Sequence, residues 1–223
     1  MIEVTNLIKS YDINGQMLKA VDNVSLTVEK GEMVSIIGHS GSGKTTLLSL
    51  IGGLTRPNSG EVVIDGNNIW SMDDDSLSEF RNREISFIYQ FSSLIPTLTS
   101  LENIMLPTAF GAFTEDREEY ARELLRIVRL EDKVNSYPSH LSGGQQRRVA
   151  IARAFINRPD ILLADEPTGD LDEETEKEVI DLFHTMNQEK AITFVIVTHN
   201  KDIAVQARKQ FRMTNGILSA MTE

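Results

Sequence analysis

Apolar and polar positions alternate over residues 2–8 and again over 21–30, where Val24, Leu26 and Val28 share one face. A period of two predicts antiparallel strands with one buried side. Between them Ser10-Tyr11-Asp12-Ile13-Asn14-Gly15 reads as a polar turn, where an aromatic such as Tyr11 is ordinarily a packing residue. Other stretches are apolar without alternation: Met33-Val34-Ser35-Ile36-Ile37, Ile161-Leu162-Leu163-Ala164 and Ile192 to Val197. Such runs suit parallel strands covered on both faces. Glu61-Val62-Val63-Ile64, closed by Asp65-Gly66, and Glu84 to Tyr89 predict two more strands. Phe211 to Leu218, with Asn215-Gly216 at its centre, predicts a hairpin.

Helical spacing takes over elsewhere. Thr46 to Ile51 predicts a helix ended by Gly52-Gly53, and residues 73–83 carry acids first and arginines last, the order a helix dipole favours. From about 91 to 141 the pattern is helical, punctuated by Pro96, Pro107 and Pro138. Within it Thr114-Glu115-Asp116 opens a helix with Tyr120, Leu124, Ile127 and Val128 on one side. Two further helices are predicted over 145–157 and Glu173 to Gln188, the latter turning Val179, Leu182, Phe183 and Met186 inward. The whole predicts one α/β domain over 1–223: a mainly parallel sheet and an antiparallel β subdomain from 1–90 and 145–223, with a helical subdomain inserted at 91–144.

The 33 acidic and 22 basic residues give a net charge of −11, spread along the chain. A nucleic-acid binder should show a basic footprint, so no nucleic-acid partner is expected. With no cysteine, disulfides and thiolate metal sites are excluded. The N-terminal residues lack a basic stretch followed by an apolar one, and no apolar run approaches the ~18–20 residues of a membrane span. The expectation is a soluble cytoplasmic chain that can dock on a membrane protein.

Gly38-His39-Ser40-Gly41-Ser42-Gly43-Lys44-Thr45 matches G-x-x-x-x-G-K-[ST], between a predicted strand and a predicted helix as a phosphate-binding loop requires. Backbone N–H groups freed by glycine curl around phosphate oxygens, and the helix N-terminus adds partial positive charge. Lys44 would neutralise the outer phosphates and Thr45 would ligate Mg²⁺, with Thr46 completing the candidate contacts. Asp165-Glu166 directly follow the strand 161–164. Neighbouring strand residues point opposite ways, so Asp165 is free to hold Mg²⁺ while Glu166 acts as general base on an attacking water. Leu141-Ser142-Gly143-Gly144-Gln145 offers a second anion-facing helix start, capped by Ser142. One chain has no evident need for two phosphate cradles, so this one is expected to reach the nucleotide of another subunit.

With these three stretches in this order, the chain resembles an ABC-transporter ATP-binding subunit over essentially its whole length. The resemblance implies ATP and Mg²⁺ as ligands, a homodimer, and further roles. Tyr11 falls where the family stacks an aromatic on adenine. Gln90 falls where a glutamine links the metal and attacking water to the membrane partner. Asp172 falls in the loop that contacts the opposite subunit, and His199 matches the histidine that touches the γ-phosphate. Glu166-Pro167-Thr168-Gly169-Asp170-Leu171-Asp172 and Leu98 to Pro107 resemble the lipoprotein-release and macrolide-export (LolD/MacB-like) group. The implied membrane partner would be met through Gln90 and residues 91–107, leaving the chain peripheral on the inner membrane face. Two positions depart from that group: His39 stands where a small residue or proline is usual, and Arg147 replaces a common glutamine.

Hydrolysis would then be in-line attack on the γ-phosphate, with Lys44, Glu166, His199 and Gln90 as the catalytic set. The alternatives are a soluble ABC-type ATPase of DNA repair or chromosome organisation and a phosphate-loop small-molecule kinase. The first should carry coiled-coil heptads or zinc cysteines, which are lacking here, and the second has no use for Leu141–Gln145.

Overall fold

The computed structural model describes residues 1–111, 116–169 and 171–221. β1 (Ile2–Ile13) and β2 (Gln16–Val28) pair as a long antiparallel hairpin that turns at Asn14-Gly15. Of the expected polar turn over 10–15, only Asn14-Gly15 turn; residues 10–13 are strand, and Tyr11 lies inside β1, opposite Leu18. The apolar alternation gives out near Ile8, but backbone pairing carries both strands on. Register shifts after Val4, Leu7 and Lys9 twist the pair, so the strand does not keep one face buried throughout.

β3 (Met33–Ile37) leads into α1 (Lys44–Ile51), which begins two residues before the predicted start. β4 (Ser59–Ile64) and β5 (Asn67–Asn68) follow, then α2 (Asp74–Glu84) and β6 (Ile85–Ile88). α2 keeps the predicted charge order, with Asp74 and Asp75 in its first turn, Arg81 and Arg83 in its last, and the Asp73 carboxylate accepting from the Ser76 N–H. Glu84 closes this helix, so the strand after it is shorter than predicted.

The block after Gln90 is less helical than its spacing predicts. Its first α-helix is α3 (Ser100–Met105). The buried Asn103 side chain accepts from the Ile95 N–H and donates to the carbonyls of Ile95, Leu98 and Thr99, which pins that segment in a non-helical path. Thr114 and Glu115, the predicted start of the next helix, lie outside the described residues. α4 spans Glu118–Ile127, and it buries Ala121, Leu124 and Leu125 while Ile127 is exposed.

α5 (Gly143–Phe155), β7 (Ile161–Asp165), α6 (Glu173–Lys190) and β8 (Thr193–Thr198) then rebuild the α/β alternation. α7 (Lys201–Ala204) and the hairpin of β9 (Lys209–Thr214) and β10 (Ile217–Ala220) end it, turning at Asn215-Gly216 as predicted.

Two sheets result. One is antiparallel in the order β2-β1-β4-β5; the other runs β10-β9-β3-β8-β7-β6 and is parallel except for its edge hairpin. The unbroken apolar runs have a direct explanation, because alternate residues feed two cores. Leu163, Val195, Val197, Val34 and Ile36 pack with α1 and the antiparallel sheet. Leu162, Ala164, Phe194 and Ile196 pack with α3, α4, α5 and α6. This is the mixed α/β architecture the sequence predicts.

Candidate functional site

β3, β8 and β7 lie side by side, so the loops leaving their C-terminal ends meet at one edge of the sheet. Ligands of open α/β sheets bind at such edges. The loop after β3 is walled by the rest of the chain. Gly43 has φ 106°, and a Cβ there would stand 2.0 Å from the Ala20 carbonyl oxygen. At Gly38 a Cβ would stand 2.4 Å from the Met213 carbonyl oxygen, and the Gly216 N–H donates to the Ser42 carbonyl at 3.0 Å. The buried Lys44 folds across the loop, its Nζ donating to the carbonyls of Gly38 (2.8 Å) and His39 (3.1 Å).

Thr45 Oγ1 donates to Asp165 Oδ2 at 2.8 Å. Burial pushes the Asp165 carboxyl above its ordinary range; the Thr45 hydroxyl opposes this, the Glu166 charge adds to it, and Lys44 and Arg147 oppose it. The next residue, Glu166, turns the other way, with φ 46°. Its Oε2 accepts from Thr198 Oγ1 (2.9 Å) and the His199 N–H (3.2 Å), and His199 Nδ1 lies 3.0 Å from Oε1. A carboxylate offers about four lone-pair sites, so one remains for water. The adjacent carboxylates thus face different partners, Asp165 the Thr45 hydroxyl and Glu166 the Thr198–His199 segment.

His39, Ser40, Gly41, Lys44, Thr45, Gln90, Asp165, Glu166 and His199 line a single cavity of about 440 Å³. Its donors Thr45, Asp165 and Gln90 are hard oxygen ligands, which fits Mg²⁺. Among the described residues no cluster of three or more His, Cys, Asp or Glu side chains could hold a metal ion. Gly38, Ser42 and Gly43 of the loop, and Thr46 in the first turn of α1, do not line the cavity.

Three predicted groups lie outside this cavity. Tyr11 is 39% exposed, with Lys9 Nζ 5.3 Å from its ring centroid. Asp172 caps α6, its Oδ1 accepting from the Thr175 N–H (2.9 Å) and its Oδ2 from the Thr175 hydroxyl (2.8 Å). Those bonds hold its carboxyl below the ordinary range. Asp170 lies outside the described residues. Ser142 caps α5 in a reciprocal pair: the Gln145 N–H donates to Ser142 Oγ at 3.2 Å, and the Ser142 N–H to Gln145 Oε1 at 2.9 Å. A Cβ at Gly143 would meet nothing within 4 Å, and one at Gly144 would only touch Leu171 at 3.6 Å.

Sequence reasoning misses Thr198 and, although it singles out Arg147 as a departure from the group, it misses where Arg147 sits. Thr198 holds Glu166 but carries no motif signal. Arg147 is 3% exposed, although arginine on a helix ordinarily reads as solvated. A signal existed: Ala150, Ile151 and Ala154, at i+3, i+4 and i+7, form a buried stripe that contains it.

Residues 21–169 match the protein family described as ABC transporter. The uncharacterized ABC transporter ATP-binding protein MJ0796 of Methanocaldococcus jannaschii is 46% identical over 209 residues, 92% of this chain and 89% of that one. Its solved structure, a dimeric post-hydrolysis state of the cassette bound to ADP and Pi, matches with a TM-score of 0.92 at 39% identity and covers both chains fully. The lipoprotein-releasing system ATP-binding protein LolD of Syntrophotalea carbinolica is 41% identical over 217 residues, 97% of this chain and 96% of that one. The macrolide export ATP-binding/permease protein MacB of Rhodopirellula baltica is 41% identical over 222 residues, but this chain, 98% of it matched, spans only 32% of that protein's length. The chain belongs to the ABC transporter family, as an ATP-hydrolysing subunit that binds ATP with Mg²⁺.

Proposed function

We propose that two copies of this chain close head to tail around two Mg-ATP, each nucleotide held between residues 38–46 of one copy and Ser142, Gly143, Gly144 and Gln145 of the other. One observation carries this reading. Gly143 has no left-handed φ and no neighbour within 4 Å of an added Cβ, so the chain's own packing does not call for glycine there. Close approach of a ligand from outside the chain does. The dimeric state of the MJ0796 cassette supports it.

Within each site Lys44 would balance the outer phosphates, and Glu166, braced by Thr198 and His199, would accept the proton of the attacking water. His199 would orient the γ-phosphate and that water. Thr45, Asp165 and Gln90 would hold Mg²⁺, which supplies charge stabilisation at the phosphates when bound. Tyr11 would stack on adenine, and Asp172 would face the opposite subunit.

The membrane partner would be of the lipoprotein-release or macrolide-export type, met through Gln90 and residues 91–107. A groove of about 570 Å³ lined in part by Leu54, Tyr89, Ile95, Leu106, Pro107 and Phe110 supports this, with the neighbouring Phe91 73% exposed. The helical subdomain, 91–144, would move against the core on closure. No helix among the described residues is long and apolar enough to cross a membrane, so attachment at the cytoplasmic face would run through that partner.

The test is dimer formation. Glu166→Gln should bind ATP without turning it over and accumulate as a dimer by size-exclusion chromatography with light scattering. Adding Ser142→Arg should return it to monomer while ATP still binds by calorimetry. A Glu166→Gln protein that stays monomeric with saturating ATP, or a double variant that still dimerises, would overturn the reading.

A further inference from the structure

The side chain that ties the proposed halves of the machine together is Arg147. It projects from α5 five residues after Ser142 and is buried. Its Nε donates to the Pro167 carbonyl at 2.8 Å and its Nη1 to the Gln90 carbonyl at 2.8 Å. Nη1 also reaches the Tyr89 carbonyl, and Nη2 the Glu166 carbonyl. One guanidinium thus gathers the loop after β6, which carries Gln90, and the loop after β7, which carries Glu166. The same helix holds the β6 loop a second time, where Arg153 donates to the Ser92 and Ser93 carbonyls at 2.9 Å each.

The Glu166 backbone needs such a clamp. A glutamate at φ 46° is uncommon and persists only where its surroundings enforce it. Its N–H is fixed by the Val197 carbonyl at 2.9 Å, and its own carbonyl is fixed by Arg147. Only a planar fork with donors on three nitrogens can serve these carbonyls together. A lysine presents one nitrogen, and a glutamine amide one donor nitrogen.

We infer that Arg147 is a positioning residue that couples the two ATP sites of the dimer. The inference rests on the proposed roles of Glu166 and of Ser142–Gln145. The start of α5 faces the other copy's nucleotide, and Arg147 transmits its position to Glu166 and Gln90 of its own site. ATP arriving on one side of the chain thereby sets the geometry of the general base on the other.

The experiment compares Arg147→Gln, Arg147→Lys and Arg147→Ala with the parent for turnover against ATP concentration, ATP affinity and thermal midpoint. The expected result is a kcat lowered about 10- to 100-fold, as for a misplacement of order 1 Å. ATP affinity should stay within about twofold, because Arg147 does not line the cavity. The Hill coefficient for ATP should fall from above one to one in every variant that remains folded. Parent-like kcat and Hill coefficient in Arg147→Gln would overturn the inference. So would a parallel fall of kcat, affinity and thermal midpoint in all three variants, since that marks a purely structural residue. Failure of the underlying dimer reading looks different: the parent itself would then show no cooperativity, and Ser142→Arg would turn over normally.

Discussion

The chain has two glycine-rich helix starts, and they are built on opposite terms. At residues 38–45 the glycines answer to the chain itself: Gly43 and Gly38 have the backbone oxygens of Ala20 and Met213 where a side chain would sit. Lys44 and Thr45 are bonded inward, to the loop carbonyls and to Asp165. At residues 142–145 the side chains of Ser142 and Gln145 bond only within the cap, a Cβ at Gly143 would meet open space, and one at Gly144 would only touch Leu171. On the proposed reading the first cradle is packed by its own chain, and the second leaves surface for another copy.

Substitution by alanine should separate the two most sharply. Gly43→Ala meets the Ala20 carbonyl and a strained φ, and should cost about 3 kcal/mol or more, seen as a thermal midpoint lowered by roughly 6–12 °C. Gly143→Ala should keep the midpoint within about 2 °C, since alanine is the better helix former, and still lower turnover about tenfold. Equal midpoints for the two variants would erase the contrast.

A smaller effect concerns the charge stored in the first cradle. Burial raises the Asp165 carboxyl's pKa, so its ionised form at neutral pH works against the nucleotide-free fold. Asp165→Asn should therefore raise the midpoint of the nucleotide-free protein by about 2–4 °C while weakening Mg²⁺-dependent turnover. The penalty is relieved as pH falls through the folded-state pKa, so the gap between variant and parent should close on acidification. A gap that widened instead would contradict the assigned cause.

The smallest effect is expected at Tyr11, which lies outside the cavity. Tyr11→Ala should weaken ATP binding by about fivefold, on the order of 1 kcal/mol for one stacking contact, without moving the midpoint. An unchanged dissociation constant by calorimetry would leave Tyr11 as a packing partner of Lys9.

Much of this was legible in the residues because it is local. Unbroken apolar runs announce β7 and β8, Asn215-Gly216 announces its hairpin, and Ser142 announces the cap of α5. What stayed hidden depends on partners distant in sequence. Tyr11 lies in a strand because residues 16–19 pair with it, while its own neighbours are polar. The path of residues 95–99 is set by Asn103, which donates to three of their carbonyls. Arg147 is visible in the sequence only as a departure, and its role emerges when the fold brings the 89–90 and 166–167 carbonyls to it. The cavity residues could be named from motifs and the family resemblance, whereas the contacts of Thr198 and Arg147 that brace them could not.

The wall behind the first cradle carries one more consequence. The Met213 carbonyl stands against Gly38, and the Gly216 N–H holds the Ser42 carbonyl. A ribosome making this chain finishes the motif residues long before it reaches those two. A chain cut short before residue 213 would lack this wall, and its phosphate loop would lose both the packing against Gly38 and the hydrogen bond at Ser42.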